Sequence, residues 1–267
     1  MLGRQFKQAL TLGLLLAIAA SAGAARDTLA SNLQKTKTFH ETKLVSDLAS
    51  EMAVVTDPCL HNPWGITYTN GGSPFWISDN NAGVSTLYNV PNPPLSQSPP
   101  VSKSERVVAT SPTSSPPVCP PATDASIGAP TGVVFNIDPT STDFVLTLGG
   151  KSGPALFIFD TEAGTIAGWN MSGDPASAVI VKDNSPGAVY KGLAMAGSGG
   201  SFYLYATNFR AGTVDVFDNS FTKVTLTGSF SDPNIPSGFA PFGIQGFPVD
   251  APTQLYVTYA AGSRQTR

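Results

Sequence analysis

The chain has 267 residues, 15 of them basic and 18 acidic, for a formal net charge of −3, and only 12% of it is charged. It carries no basic run that would neutralise a phosphate backbone, which excludes nucleic acid as a partner class. With 26 Gly and 23 Pro besides plentiful Ser and Thr, the composition favours an all-β fold rich in turns over long helices.

Residues 1–24 read as a signal peptide. Arg4 and Lys7 precede an uncharged, mostly apolar run from Ala9 to Ala20, and Ala22-Gly23-Ala24 supplies a small-x-small cleavage site. The run is well short of the roughly 20 residues that span a bilayer, and no later stretch is long and apolar enough. The expected product is therefore exported, secreted or periplasmic, with no integral membrane segment after cleavage. Cleavage leaves thirteen basic against eighteen acidic residues, a net charge of −5. Residues 25–42 are polar and aperiodic, which predicts a flexible leader.

A propeller domain is expected over 43–260. Leu44–Leu48 could form a short strand. A first repeat follows, from Asn62-Pro63-Trp64-Gly65-Ile66 through Phe75–Asp79 to Gly83–Tyr88, with a hairpin turn over Asp79–Gly83. From about 91 to 130 the chain holds eleven prolines, so this segment is expected to be a surface insertion, with Arg106–Ala109 as its one strand-like interlude. The second repeat predicts strands at Gly132–Phe135, Phe144–Leu148, Ala155–Phe159 and Gly164–Trp169. The third predicts Gly192–Ala196, Phe202–Thr207, Gly212–Phe217 and Lys223–Leu226. A fourth begins at Pro241-Phe242-Gly243-Ile244 and reaches Leu255–Tyr259, and 261–267 is a polar tail. One phrase thus recurs four times: a glycine and an aliphatic residue, then an aromatic-rich strand. Repeats of this scale predict a β-propeller of four-stranded blades, about three complete and part of a fourth. Two strands of that blade are missing, so the chain is expected to end before its ring is complete.

The motifs Leu44–Leu48, Asn62–Ile66, Phe75–Asn80, Pro130–Asn136, Thr161–Asn170, Tyr203–Phe209, Pro241–Ile244 and Leu255–Tyr259 together resemble an uncharacterised family of secreted, largely bacterial propeller proteins. The resemblance covers 43–259. It implies export and NHL-like blades; it implies no activity, because that family has none established, and its members run on into further blades.

Candidate chemistry is sparse. Asn62, Asp79, Asn80, Asn136, Asp138 and Asn208 recur at strand ends. Such oxygens suit Ca²⁺, and Asp79, Asn80, Asn136 and Asn208 form the candidate metal set, as in lactone hydrolases built on related propellers. The competing reading is turn chemistry, since Asp and Asn cap strand ends wherever chains reverse. No Glu or His stands beside them in sequence as a base. Trp64, flanked by Pro63 and Gly65, and Asn62 are the candidate ligand-binding residues at the channel mouth, whereas Trp76 and Tyr203 fit strand patterns that predict core. Cys59 and Cys119 are the only cysteines and would pair in an oxidising compartment; Asn170-Met171-Ser172 is a glycosylation sequon. Two functions follow. The first is a non-enzymatic scaffold binding an extracellular protein or glycan; the alternative is a metal-dependent hydrolase of lactones or small esters.

Overall fold

The computed structural model describes residues 41–69, 71–90, 101–109, 128–138, 142–228, 230, 232–247 and 254–262. The expected signal peptide, most of the leader, Cys119 and nearly all of the polar tail lie outside the described residues. The chain divides into residues 1–42 and 43–267, and all described strands belong to the second unit.

In chain order, β1 (Val45–Ser46) and β2 (Val55–Thr56) pair in parallel. β3 (Pro63–Thr67), β4 (Phe75–Asp79), β5 (Val84–Asn89) and β6 (Ser102–Ala109) form an antiparallel sheet. The next sheet is β7 (Pro130–Phe135), then, past the hairpin β8 (Val145–Leu148) and β9 (Lys151–Pro154), β10 (Phe157–Thr161), β11 (Thr165–Trp169) and β12 (Val179–Asp183). A third comprises β13 (Tyr190–Ser198), β14 (Ser201–Asn208), β15 (Thr213–Phe217) and β16 (Lys223–Val224). Among the described residues, β17 (Phe239–Phe247) and β18 (Gln254–Ala261) form a two-stranded antiparallel sheet. Each four-stranded sheet is an up-and-down meander, and the first strands β3, β7, β13 and β17 lie beside one another in that order. This is the arrangement of β-propeller blades, three complete and the inner half of a fourth among the described residues.

The blades cohere through apolar layers between facing sheets. Trp76 and Leu87 of the first meet Val133, Phe157, Phe159, Ala167 and Trp169 of the second, with Trp76 stacked on Phe157 at 4.1 Å. Ile158 and Ile166 meet Leu193, Leu204 and Phe217 of the third. Ala194, Ala196, Tyr205 and Val216 meet Ile244, Leu255 and Val257 of the fourth. On the first blade's other face, Leu44, Val45, Val55 and Leu60 cover Ile77 and Tyr88. Asp57 pins that segment, accepting from Tyr88 Oη (2.7 Å) and Lys103 Nζ (2.8 Å). Burial alone would push this carboxyl up, but the bonds from Lys103, Tyr88 and the Cys59 N–H hold it below the usual range.

The repeated glycines mark where one blade touches the next. A Cβ on Gly65 would lie 2.5 Å from Thr131 O, and one on Gly132 2.3 Å from Leu193 N. On Gly192 it would lie 3.1 Å from Ile244 N and from Phe242 O. Each first strand bulges here, the register slipping between Pro63 and Ile66, Pro130 and Val133, Tyr190 and Leu193, and Pro241 and Ile244. A polar residue on the second strand ties the bulge down. Asp160 Oδ1 accepts from Gly132 N, Thr207 Oγ1 donates to Gly192 O and to Phe242 O of the next blade, and Thr258 Oγ1 accepts from Gly243 N.

One expected blade strand is corrected. Phe144–Leu148 is no blade strand: Gly149 and Gly150, both at positive φ, fold β8 straight back on β9, so it pairs with its immediate successor. The blade's fourth strand is instead Val179–Asp183, half-buried and without clean alternation. The strand expected within Leu44–Leu48 is present as β1, paired with β2.

Gly132→Ala drives a methyl into Leu193 backbone and should cost more than about 3 kcal/mol in denaturant unfolding. Among the described residues, a Cβ on Gly243 meets only the Thr258 hydroxyl of its own blade, at 2.9 Å. Gly243→Ala should therefore stay within about 1 kcal/mol of the parent in dilute solution. Equal losses at the two sites would refute this account of the glycines.

Candidate functional site

A bulge re-aims the side chains beside it. The residue before each repeated glycine is Trp64, Thr131, Lys191 or Phe242, one per blade. Three of these converge. Trp64 and Phe242, from the first and fourth blades, have ring centroids 5.4 Å apart. Lys191 Nζ lies 5.0 Å from the Trp64 centroid and 5.7 Å from that of Phe242. Phe209, just past β14, stands 5.8 Å from the same ammonium and edge-on to Phe242. Thr131 instead bonds Asp160 and Tyr190 O.

The Lys191 side chain is only 13% exposed, so its charge needs a partner close by. Glu162, in the turn after β10, pairs with it through Oε1 and accepts from Asn80 Nδ2 (3.2 Å) through Oε2. Asn80 Oδ1 in turn accepts from Asn62 Nδ2 at 3.2 Å, and the same Asn62 amide reaches Asn81 Oδ1 at 3.2 Å. Asn62 does this from a left-handed backbone, φ 54°, a conformation Asn tolerates better than most residues. The outcome is a charge pair walled by three rings and rimmed by amides. Cation–π contacts of this kind are worth about 0.5–1 kcal/mol when exposed and about 2 when desolvated.

The structure brings together Asn62, Trp64 and Asn80, and adds four residues that the sequence reading did not single out: Glu162, Lys191, Phe209 and Phe242. Aligning the four repeats on their glycines would have put Lys191 and Phe242 in register with Trp64. Glu162 and Phe209 follow the second strands at one position, that of Asn80.

The other candidates lie apart. Asn136 sits at the opposite end of its blade, donating to Ala155 O (2.9 Å) and accepting from Asp138 N (3.1 Å). Asn208 is buried, accepting from Val189 N and Ala211 N and donating to Asp215 Oδ2, which also receives Tyr190 Oη. Asp79 points along its own sheet, Oδ2 accepting from Thr86 N (3.0 Å), while Oδ1 has no partner among the described residues. Among the described residues no three His, Cys, Asp or Glu come together as a metal would require. Asn170 is buried, its Nδ2 donating to Gly153 O (3.0 Å) and Pro154 O (3.3 Å), so the fold keeps the sequon's amide occupied. Cys59 is buried beside Asp57, and Cys119 lies outside the described residues.

Burial raises two carboxyls. Asp79 is pushed up to about 8, far more than the Thr86 bond pulls it down, and Asp160 to about 6 despite the Thr131 and Gly132 bonds. Each retains one oxygen without a partner among the described residues.

No family model matches the chain. An uncharacterised protein of Acanthamoeba polyphaga mimivirus is 30% identical over 224 residues, 81% of this chain and 48% of that protein. A second uncharacterised mimivirus protein is 32% identical over 120 residues, 43% of this chain and 21% of its own. The chain thus spans about half the length of the first relative. A solved structure of catalytically inactive virginiamycin B lyase from Staphylococcus aureus with quinupristin is similar over 68% of this chain and 44% of its own, at 15% identity and a TM-score of 0.40.

Because Asp79 and Asp160 bind protons more tightly folded than unfolded, their stabilising contribution is complete below pH about 4. It is lost as pH rises through about 6 and then about 8. Each contributes a slope of at most about 1.4 kcal/mol per pH unit. Thermal unfolding should therefore occur higher at pH 5 than at pH 8, and Asp79→Asn, which mimics the protonated carboxyl, should flatten the limb between 6 and 8. An unchanged slope in that variant would show that Asp79 is not the titrating group.

Proposed function

We propose that the chain is an exported β-propeller that binds a glycan, free or carried on a partner protein, at the ring-walled end of its innermost strands. The observation that carries this reading is the convergence of Trp64, Phe209 and Phe242 on the Lys191–Glu162 pair beneath the amide rim of Asn62, Asn80 and Asn81. A sugar presents an apolar C–H face and a ring of hydroxyls. Aromatic faces complement the first; amides and a lysine–carboxylate pair complement the second.

The signal peptide and the motifs shared with secreted NHL-like proteins support export and that kinship, and export supports a Cys59–Cys119 bridge across the Pro-rich insertion. Binding of this kind needs no catalytic group. The calcium-hydrolase reading would need Asp79, Asn80, Asn136 and Asn208 around one ion, and their separate hydrogen-bond engagements lend it no support.

Trp76 and Trp169 are 2% and 3% exposed, so a change in tryptophan emission on adding glycan should report Trp64. Glycan-array hits should shift that emission, and Trp64→Ala should weaken binding about tenfold, about 1.4 kcal/mol. An empty array and an empty pull-down from extracellular fluid, both with cooperatively folding protein, would overturn the proposal. Ca²⁺ and EDTA should leave the unfolding temperature unchanged; a fall of several degrees on chelation would favour the metal-dependent alternative.

A further inference from the structure

We infer that the three rings around Lys191 form a cage for a methylated ammonium ligand, with the Lys191 ammonium as a built-in stand-in that such a ligand displaces. The inference goes beyond the glycan reading, from which it takes only that the ring-walled end is a binding site. Trp64, Phe209 and Phe242 surround Nζ at 5.0, 5.8 and 5.7 Å, and Glu162 pairs with it directly. Ring faces carry the negative end of the aromatic quadrupole, so three of them beside one carboxylate select a cation.

The spacing suits a larger head than the one it holds. A bare ammonium can approach a ring to about 3.5–4.0 Å, ordinary non-bonded contact. A methyl on the nitrogen adds a bond of about 1.5 Å, which sets that nitrogen about 5–5.5 Å from the ring. The three distances to Lys191 Nζ lie at or just above this value. Between the lysine and each ring there is room for a methyl.

The cage does not depend on its lysine. Trp64 and Phe242 meet each other at 5.4 Å, and Phe209 stands edge-on to Phe242 at 5.8 Å. Glu162 Oε2 accepts from Asn80 Nδ2 at 3.2 Å, and Asn80 is only 4% exposed, its Oδ1 held by Asn62. Lys191 is tied at one point: among the described residues Glu162 is the sole hydrogen-bond partner of its ammonium. The pair still meets solvent, and the flexible four-carbon stem can swing out with β13 unmoved.

Charge decides which ligand can use that movement. A neutral or anionic ligand that drove Lys191 out would leave the Glu162 carboxylate poorly solvated and without a counter-ion. A cation replaces what it displaces. The lysine ammonium is strongly hydrated and returns readily to water, whereas a quaternary ammonium presents methyls that the rings cover.

Titration of the chain with tetramethylammonium chloride, against sodium chloride at equal ionic strength, tests the inference. Affinity on the order of millimolar is expected. Trp64 emission should change saturably with tetramethylammonium and not with sodium. Lys191, freed into water, should acetylate several-fold faster in its presence, as read by peptide mass spectrometry. Lys191→Met removes the competitor and should tighten binding at least about tenfold, and adding Glu162→Gln to that variant should weaken it again by about tenfold. If Lys191→Met fails to fold, the acetylation rate of the parent chain still decides. Acetylation that tetramethylammonium leaves unchanged or slows would overturn the cage. So would the absence of any saturable emission change in cooperatively folding parent and Lys191→Met. A glycan lying over the rings leaves Lys191 in place and slows its acetylation, so the two readings fail separately. Array hits without tetramethylammonium binding remove the cage alone; tetramethylammonium binding with an empty array supports the cage and removes the glycan.

Discussion

Everything in this molecule hangs on the distance between neighbouring innermost strands. At Gly65 and Gly132 the next strand's backbone passes where a side chain would have to be, and at Gly192 it comes within 3.1 Å of that point. The approach tilts each blade onto its neighbour and so decides which apolar residues face one another, bringing Trp76 against Phe157 and Ile158 into the layer with Leu204. A methyl at Gly65 or Gly132 would separate two sheets rather than disturb one contact, because interiors packed this densely yield little to local strain. The polar residues beside the glycines secure the same junction. Thr131 and Thr207 each donate to a carbonyl of the following blade, so peptide groups pulled out of the ladder by the bulge stay satisfied.

The bulge that makes room for the contact also builds the site. It redirects one side chain per blade, and the chain varies those four positions, Trp64, Thr131, Lys191 and Phe242, while keeping the glycine after them constant. Structure resides in the constant residue and chemistry in the variable one. Lys191 tolerates its buried position because Glu162 neutralises it and three rings solvate its face, and Glu162 is in turn oriented through Asn80 and Asn62. The arrangement is preorganised: each polar group that a ligand would meet is already held by another.

The buried carboxyls show the same economy of polar groups. Asp79 and Asp160 occupy sheet positions where an ionised group lacks solvation, and burial raises both, to about 8 and about 6, so that Asp79 stays protonated near neutrality. Asp57, also shielded from solvent, is held below the usual carboxylate range because Lys103, Tyr88 and the Cys59 N–H reach it.

Sequence alone determined the blade architecture, because its signal is local. A glycine needed for close approach, an aliphatic residue after it and an alternating strand beyond are each legible in a few residues, and three blades and a half follow from their recurrence. Trp64 and Asn62 were also legible, as an aromatic and an amide flanking a repeated glycine. Tertiary structure decided the rest. Gly149-Gly150 sent Phe144–Leu148 into its own hairpin, and half-buried Val179–Asp183 took the outer place without a pattern to announce it. It also dispersed the four candidate oxygen donors among separate hydrogen bonds, and gathered Lys191, Glu162, Phe209 and Phe242, which lie up to eighty residues apart. The physical reason is that a strand's pattern records which face is buried, whereas convergence at a blade end depends on the geometry of its neighbours, which no single segment encodes.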